Sequence, residues 1–129
     1  MLKDIDHIAI KVSDIDSVCD DFSYIGYECS SVEQYDEVGM KIAFLGKGDS
    51  HLELLEVTDS ASPIVDDPAG MHHLGLKVED IDKAYGEMSR SERFLIEGSI
   101  RQGARGRIFF FRLKSEREVL FECAESVKR

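Results

Sequence analysis

The sequence predicts an α+β fold built from two tandem β-α-β-β-β modules, and three observations predict it. The stretch His7-Ile-Ala-Ile-Lys-Val-Ser-Asp-Ile-Asp returns 66 residues later as His73-Leu-Gly-Leu-Lys-Val-Glu-Asp-Ile-Asp. Each copy passes from strict alternation of apolar and polar residues to an Asp-Ile-Asp signal, the change from a half-buried strand to a capped helix. Each helix is then followed by three short runs of strand character divided by turn residues.

The elements follow in order. Over residues 6–12 the apolar Ile8, Ile10 and Val12 fall on one face and His7, Ala9 and Lys11 on the other, and residues 72–78 repeat the pattern. Acids in the first turn of each helix favour its positive end. The first helix is expected to end at Gly26 and the second near Ser89. Strands are expected over 27–33, 40–46 and 50–57, with Gly46-Lys-Gly-Asp as a turn, and again over 94–100, 107–113 and 118–124. The stretch from Ser60 to Gly70, carrying Pro63 and Pro68, reads as the connector between half-repeats of about 4–58 and 70–125.

At 129 residues and 14.6 kDa the chain has the size of one domain, residues 1–129, whose halves share a core. A net charge of −10 argues against nucleic acid or an anionic membrane as partner. No apolar stretch approaches the roughly 20 residues of a membrane span. The opening Met1-Leu-Lys-Asp-Ile-Asp has charge where a signal peptide has its apolar region, so a soluble, cytoplasmic protein is expected. Cys19, Cys29 and Cys123 are an odd set without a C-x-x-C motif, which reads as three buried free thiols. The charge is uneven: residues 1–60 carry 4 Lys/Arg against 14 Asp/Glu, whereas residues 90–117 carry 8 against 3. The basic stretch is either a balancing surface or a dock for an anionic ligand.

The repeat supplies two equivalent histidines, His7 and His73, each with a small neighbour, Ala9 or Gly75, on its face. Each half also closes on an apolar run holding one glutamate, Glu53 between Leu52 and Leu54, and Glu122 between Phe121 and Cys123. A carboxylate among apolar strand residues needs a partner. Edge-strand glutamates facing water and packed histidines are one reading; the recurrence of the pair in both halves favours a shared metal site. Two imidazoles and two carboxylates suit one divalent ion, Co, Mn, Ni, Fe or Zn. Such an ion would keep two positions for a bidentate substrate. His51 and His72 stand outside the repeat register and are left out of the site.

These residues, with Asp36-Glu-Val-Gly-Met-Lys-Ile-Ala-Phe-Leu, Ser62-Pro-Ile, Gly103-Ala-Arg-Gly and Val119-Leu-Phe-Glu, resemble the vicinal oxygen chelate (glyoxalase/bleomycin resistance/dioxygenase) superfamily. Within it the likeness is greatest to the methylmalonyl-CoA epimerases, over nearly the whole length. The resemblance implies one cupped eight-stranded mixed sheet, with His7, Glu53, His73 and Glu122 as metal ligands. It implies epimerisation of 2-methylmalonyl-CoA or a related anionic acyl thioester, by α-proton exchange through a metal-stabilised enolate. Glu37 stands where those epimerases keep a base, and Glu122 is their suggested second acid/base. A homodimer is implied as well. The chain departs from the epimerases at Arg105, at Arg112-Leu-Lys114, at Arg117-Glu118 and in a shorter connector, all in segments that shape the substrate mouth. The alternatives are a glyoxalase-I-like lactoylglutathione lyase, whose Asn-rich and Asp-Pro-Asp-Gly turns are absent, and a three-ligand dioxygenase, which Glu53 disfavours. A non-catalytic binding or resistance protein of this fold would be expected to lack the four ligands.

Overall fold

Two copies of one pattern make up the fold, each a strand, a capped helix and three further strands. The computed structural model describes residues 2–46 and 51–125, the side chain of Leu2 excepted. In chain order the elements are β1 (Leu2–Lys11), α1 (Ile15–Tyr24), β2 (Glu33–Tyr35), a 3-10 turn (Asp36–Val38), β3 (Met40–Leu45) and β4 (His51–Val57). They are followed by β5 (Gly70–Val78), α2 (Ile81–Ser89), β6 (Phe94–Gln102), β7 (Arg107–Leu113) and β8 (Glu116–Glu125). The chain divides into two compact units, His7–His72, and His73–Arg129 together with Met1–Asp6.

In the first unit the strands run in the order β2-β3-β4-β1, with β1 parallel to β4 and the other pairs antiparallel. Asp14 caps α1, its carboxylate accepting from the backbone N–H groups of Asp16 and Ser17 at 3.1 and 3.3 Å. The Ile15 N–H donates to Glu56 of β4 at 2.8 Å, which ties the start of the helix to the sheet. Ile15, Ala43 and Leu54 are buried between α1 and the strands, with Ile10, Val12 and Val18 packed around them. Each fully buried Ile or Leu contributes about 1.5–3 kcal/mol. Lys11 leaves this layer and donates to the Ile64 and Val65 carbonyls at 2.9 and 3.1 Å, and to that of Asp67. It holds the connector against β1.

In the second unit the order is β5-β8-β7-β6, with β5 parallel to β8 and the rest antiparallel. Asp80 caps α2 by accepting from the Lys83 N–H at 3.0 Å. The core under α2 is larger and more aromatic: Val78, Ile81, Ala84, Met88, Phe109, Phe111 and Cys123 are buried, and Phe94, Ile96 and Phe121 pack on them. Asp6 and Lys77 approach to 4.0 Å, as do Lys3 and Glu79 to 3.9 Å.

Two expectations need correction. The cysteines are not three free thiols, because Cys19 on α1 and Cys29 form a disulfide across a Cα separation of 5.7 Å, and only Cys123 is free. The odd count concealed this pairing, which depends on how the chain returns from the helix. Burial pushes the Cys123 thiol up to about 12, with the neighbouring Glu122 charge adding to the effect. The strand expected over 27–33 forms only at Glu33–Tyr35, with Cys29 making a single bridge to Leu45. Tyr27 and the residues near it are largely exposed, so alternation there found no face to bury. The turn residues 47–50 lie outside the described residues, and the strand expected to start at 50 is described from His51.

Candidate active site

In the first unit the parallel register of β1 and β4 sets His7 opposite His51 and Ala9 opposite Glu53. Ile10, Val12 and Leu54 turn to α1, so alternation turns His7, Ala9, His51 and Glu53 to the helix-free face. His7 is 5% exposed and Glu53 8%, and His7 Nε2 lies 3.5 Å from Glu53 Oε1. Phe44 of β3 stands opposite Glu53. Tyr35 of β2 adds a phenol pushed above its ordinary value by burial, by its hydrogen bond to Glu33 at 3.1 Å, and by the Glu33 and Glu53 charges.

The second unit repeats the arrangement. Gly75 of β5 is opposite Glu122 of β8, and Phe110 of β7 is opposite Glu122 on its other side. Phe121 and Cys123 belong to the core under α2, so Glu122 turns away from it. His73 is 8% exposed and Glu122 5%, and His73 Nε2 lies 3.2 Å from Glu122 Oε2. The Phe110 ring meets His73 edge-on at 5.1 Å.

The separations inside the two pairs, 3.5 and 3.2 Å, carry chemical information. A charge-assisted His–carboxylate hydrogen bond settles at about 2.7–2.9 Å. Two donors each about 2.1 Å from one ion stand about 3.0 Å apart at an octahedral angle and about 3.4 Å apart at a tetrahedral one. Each pair therefore has the spacing of adjacent ligands, and a buried imidazole with a buried carboxylate is a donor set that a divalent ion of intermediate character accepts.

The four residues singled out by the repeat thus come together as two pairs, one in each unit. Glu37 is placed differently, exposed on the 3-10 turn between β2 and β3, where it makes no hydrogen bond or ion pair with a described residue. Gly39 ends that turn at φ 59°, in the left-handed region that glycine enters at least cost, and a Cβ there would stand 2.6 Å from Asp59 Oδ1, so the Asp59 side chain would have to move. His72 lies off the site, its Nε2 2.7 Å from Asp67 Oδ2 in the connector. His51 does not recur in the second half, yet its ring stacks on His7 at 5.8 Å and 19°. The available signal was its spacing of two from Glu53, which puts both on one face.

The sequence profile of the Glyoxalase/Bleomycin resistance protein/Dioxygenase superfamily matches residues 6–111. The chain belongs to this superfamily. Among superfamily relatives, mouse mitochondrial methylmalonyl-CoA epimerase is 26% identical over 129 residues, covering 95% of this chain and 72% of the mouse protein. A hypothetical protein from Bacillus halodurans C-125 has a solved structure that is 30% identical, with a TM-score of 0.85 over 97% of this chain and 95% of its own. A variant of the Streptomyces coelicolor methylmalonyl-CoA epimerase, solved in complex with 2-nitronate-propionyl-CoA, is 28% identical. Its TM-score is 0.83, over 98% of this chain and 96% of its own. The glyoxalase-like α+β fold expected from the sequence is the fold found.

Proposed function

We propose that the protein is a divalent-metal-dependent epimerase of 2-methylmalonyl-CoA or a closely related acyl thioester, with His7, Glu53, His73 and Glu122 sharing one ion. The observation that carries the reading is the doubled His–Glu pair, buried and spaced as adjacent ligands in both halves. Support for the substrate comes from the epimerase relatives, one of them holding a propionyl-CoA analogue.

The chemistry a bound divalent ion supplies is Lewis acidity toward the thioester carbonyl, which lowers the cost of the charge that appears as the α-proton leaves. The protein's residues supply the proton transfers. Inversion needs a group on each face of the α-carbon, one to remove the proton and one to return it. Glu37 is the proposed base: its turn leads from Tyr35, on the face of Glu53, into β3, and its carboxylate is uncommitted to any described residue. Glu122 is the proposed second acid/base, buried beside His73.

The test is deuterium uptake at C2 of methylmalonyl-CoA in heavy water, followed by mass spectrometry on metal-loaded and metal-stripped protein. Metal-dependent uptake at roughly 1–1000 turnovers per second is expected. No uptake by protein carrying one equivalent of metal would remove the epimerase reading and direct the assay to glutathione hemithioacetals. No metal binding at all would favour a non-catalytic binding protein.

A further inference from the structure

The basic stretch of the second half resolves into arginines with different commitments. Arg107 is taken by Asp82, at 3.0 Å, and by Glu125, at 3.2 Å. Arg112 is paired with Glu97 and donates to the Arg117 carbonyl at 2.9 Å. Arg101 is paired with no carboxylate among the described residues. Its Nη1 donates to the carbonyls of Ser99 at 3.1 Å and Glu97 at 3.4 Å, and its guanidinium carbon lies 4.8 Å above the centre of the Phe110 ring.

That placement puts Arg101 beside the candidate site. Phe109 and Phe111 turn to α2, so Ile108 and Phe110 share the other face with Glu122. Arg101 stands opposite Ile108. The Phe110 ring on which the guanidinium lies is the ring that meets His73 edge-on at 5.1 Å. Laid end to end, the two separations put the guanidinium carbon within about 10 Å of the His73 ring, a span that one small substrate bridges. The strand is shaped for this. Its register shifts between Glu97 and Arg101, Gly98 adopts φ 80° there, and a Cβ on Gly98 would sit 2.9 Å from Arg101 Nη1. A guanidinium offers five donors in a rigid fork, and the carbonyls of Ser99 and Glu97 engage Nη1 alone. An aromatic face under a cation restricts its motion without neutralising it.

We propose that Arg101 is a specificity-determining residue that holds an oxyanion of the substrate, either the free carboxylate of the acyl group or a phosphate of its carrier. The name of that substrate rests on the thioester reading above; the site rests on the commitments of the arginines and on the bulge that positions one of them. Calorimetric titration of metal-loaded protein with malonate, a carboxylate without phosphate, and with CoA, phosphates without the acyl carboxylate, tests it on wild type, Arg101→Gln and Arg101→Lys. The expected result is that Arg101→Gln weakens one of the two probes on the order of 10–100-fold and leaves the other unchanged, with Arg101→Lys recovering part of the loss. Loss for malonate assigns the acyl carboxylate, and loss for CoA assigns the carrier phosphate. The proposal is overturned if both probes bind Arg101→Gln within about twofold of wild type, or if wild type binds neither. Protein that binds a probe through Arg101 yet exchanges no proton would keep this inference and remove the epimerase reading.

Discussion

The two half-repeats hold the same His–Glu frame in different surroundings. In the first, Ala9 and Phe44 flank Glu53; in the second, Gly75 and Phe110 flank Glu122 at equivalent register positions. Around that frame the halves part. His51, two residues before Glu53, stacks on His7, whereas Leu120 is the residue two before Glu122. Glu33 stands opposite Ile42 in the first half, and Arg101 stands opposite the equivalent Ile108 in the second. An acid and a phenol line one half where a guanidinium lines the other. On the proposed function, the pair that recurs serves the ion and the residues that differ around it serve the substrate, whose two sides are unlike.

The helices teach the same lesson about stability. Cys19 and Tyr85 occupy equivalent positions on α1 and α2. Cys19 ties its helix to Cys29 through the disulfide, while Tyr85 donates to the Gly98 carbonyl at 3.1 Å and packs edge-on against Phe109 at 5.1 Å. The first half, with its small cluster of Ile15, Ala43 and Leu54, uses a covalent tether; the second, with Phe109 where the first has Ala43, uses aromatic packing.

The sharpest way to break the comparison is to remove one ligand from each half. His7→Ala and His73→Ala should each abolish binding of the ion and lower turnover by at least about 1000-fold, as measured by metal content and by deuterium exchange. Equal losses mean that the halves serve one ion; loss in only one variant would show that the frame is not shared. Next in size is Glu37→Gln, which has no counterpart carboxylate in the second half. It should keep the metal and slow exchange by about 100- to 10,000-fold, and normal turnover would remove Glu37 from the mechanism. The smallest effects concern the tethers. Cys19→Ser should cost the oxidised protein about 2–3 kcal/mol in denaturant unfolding, because the short loop closed by the disulfide gains freedom when unfolded. Tyr85→Phe should cost about 1 kcal/mol by losing one hydrogen bond while keeping the ring.

Much of the candidate site is legible because its members recur. His7 and His73 sit at the repeat offset, and Glu53 and Glu122 each interrupt an apolar run, so alternation alone turned them away from the helices. What does not recur was harder to read. Neither His51 nor Arg101 is repeated as the same residue type in the other half, and their neighbours belong to strands whose register follows from hairpin length and from the bulge after Glu97.

The sequence by itself determined the β-α-β-β-β order, the Asp14 and Asp80 caps, the helix ends near Gly26 and Ser89, and the faces of the two His–Glu pairs. All of these depend on side chains within a few residues of one another, where period, capping and turn chemistry act. Only the tertiary structure decided that Cys19 meets Cys29, that His51 lies on His7, and that Arg101 rests on Phe110 while Arg107 and Arg112 are spent on carboxylates. Those contacts join residues on different elements, and a shift of one residue in register would send each side chain to the opposite face.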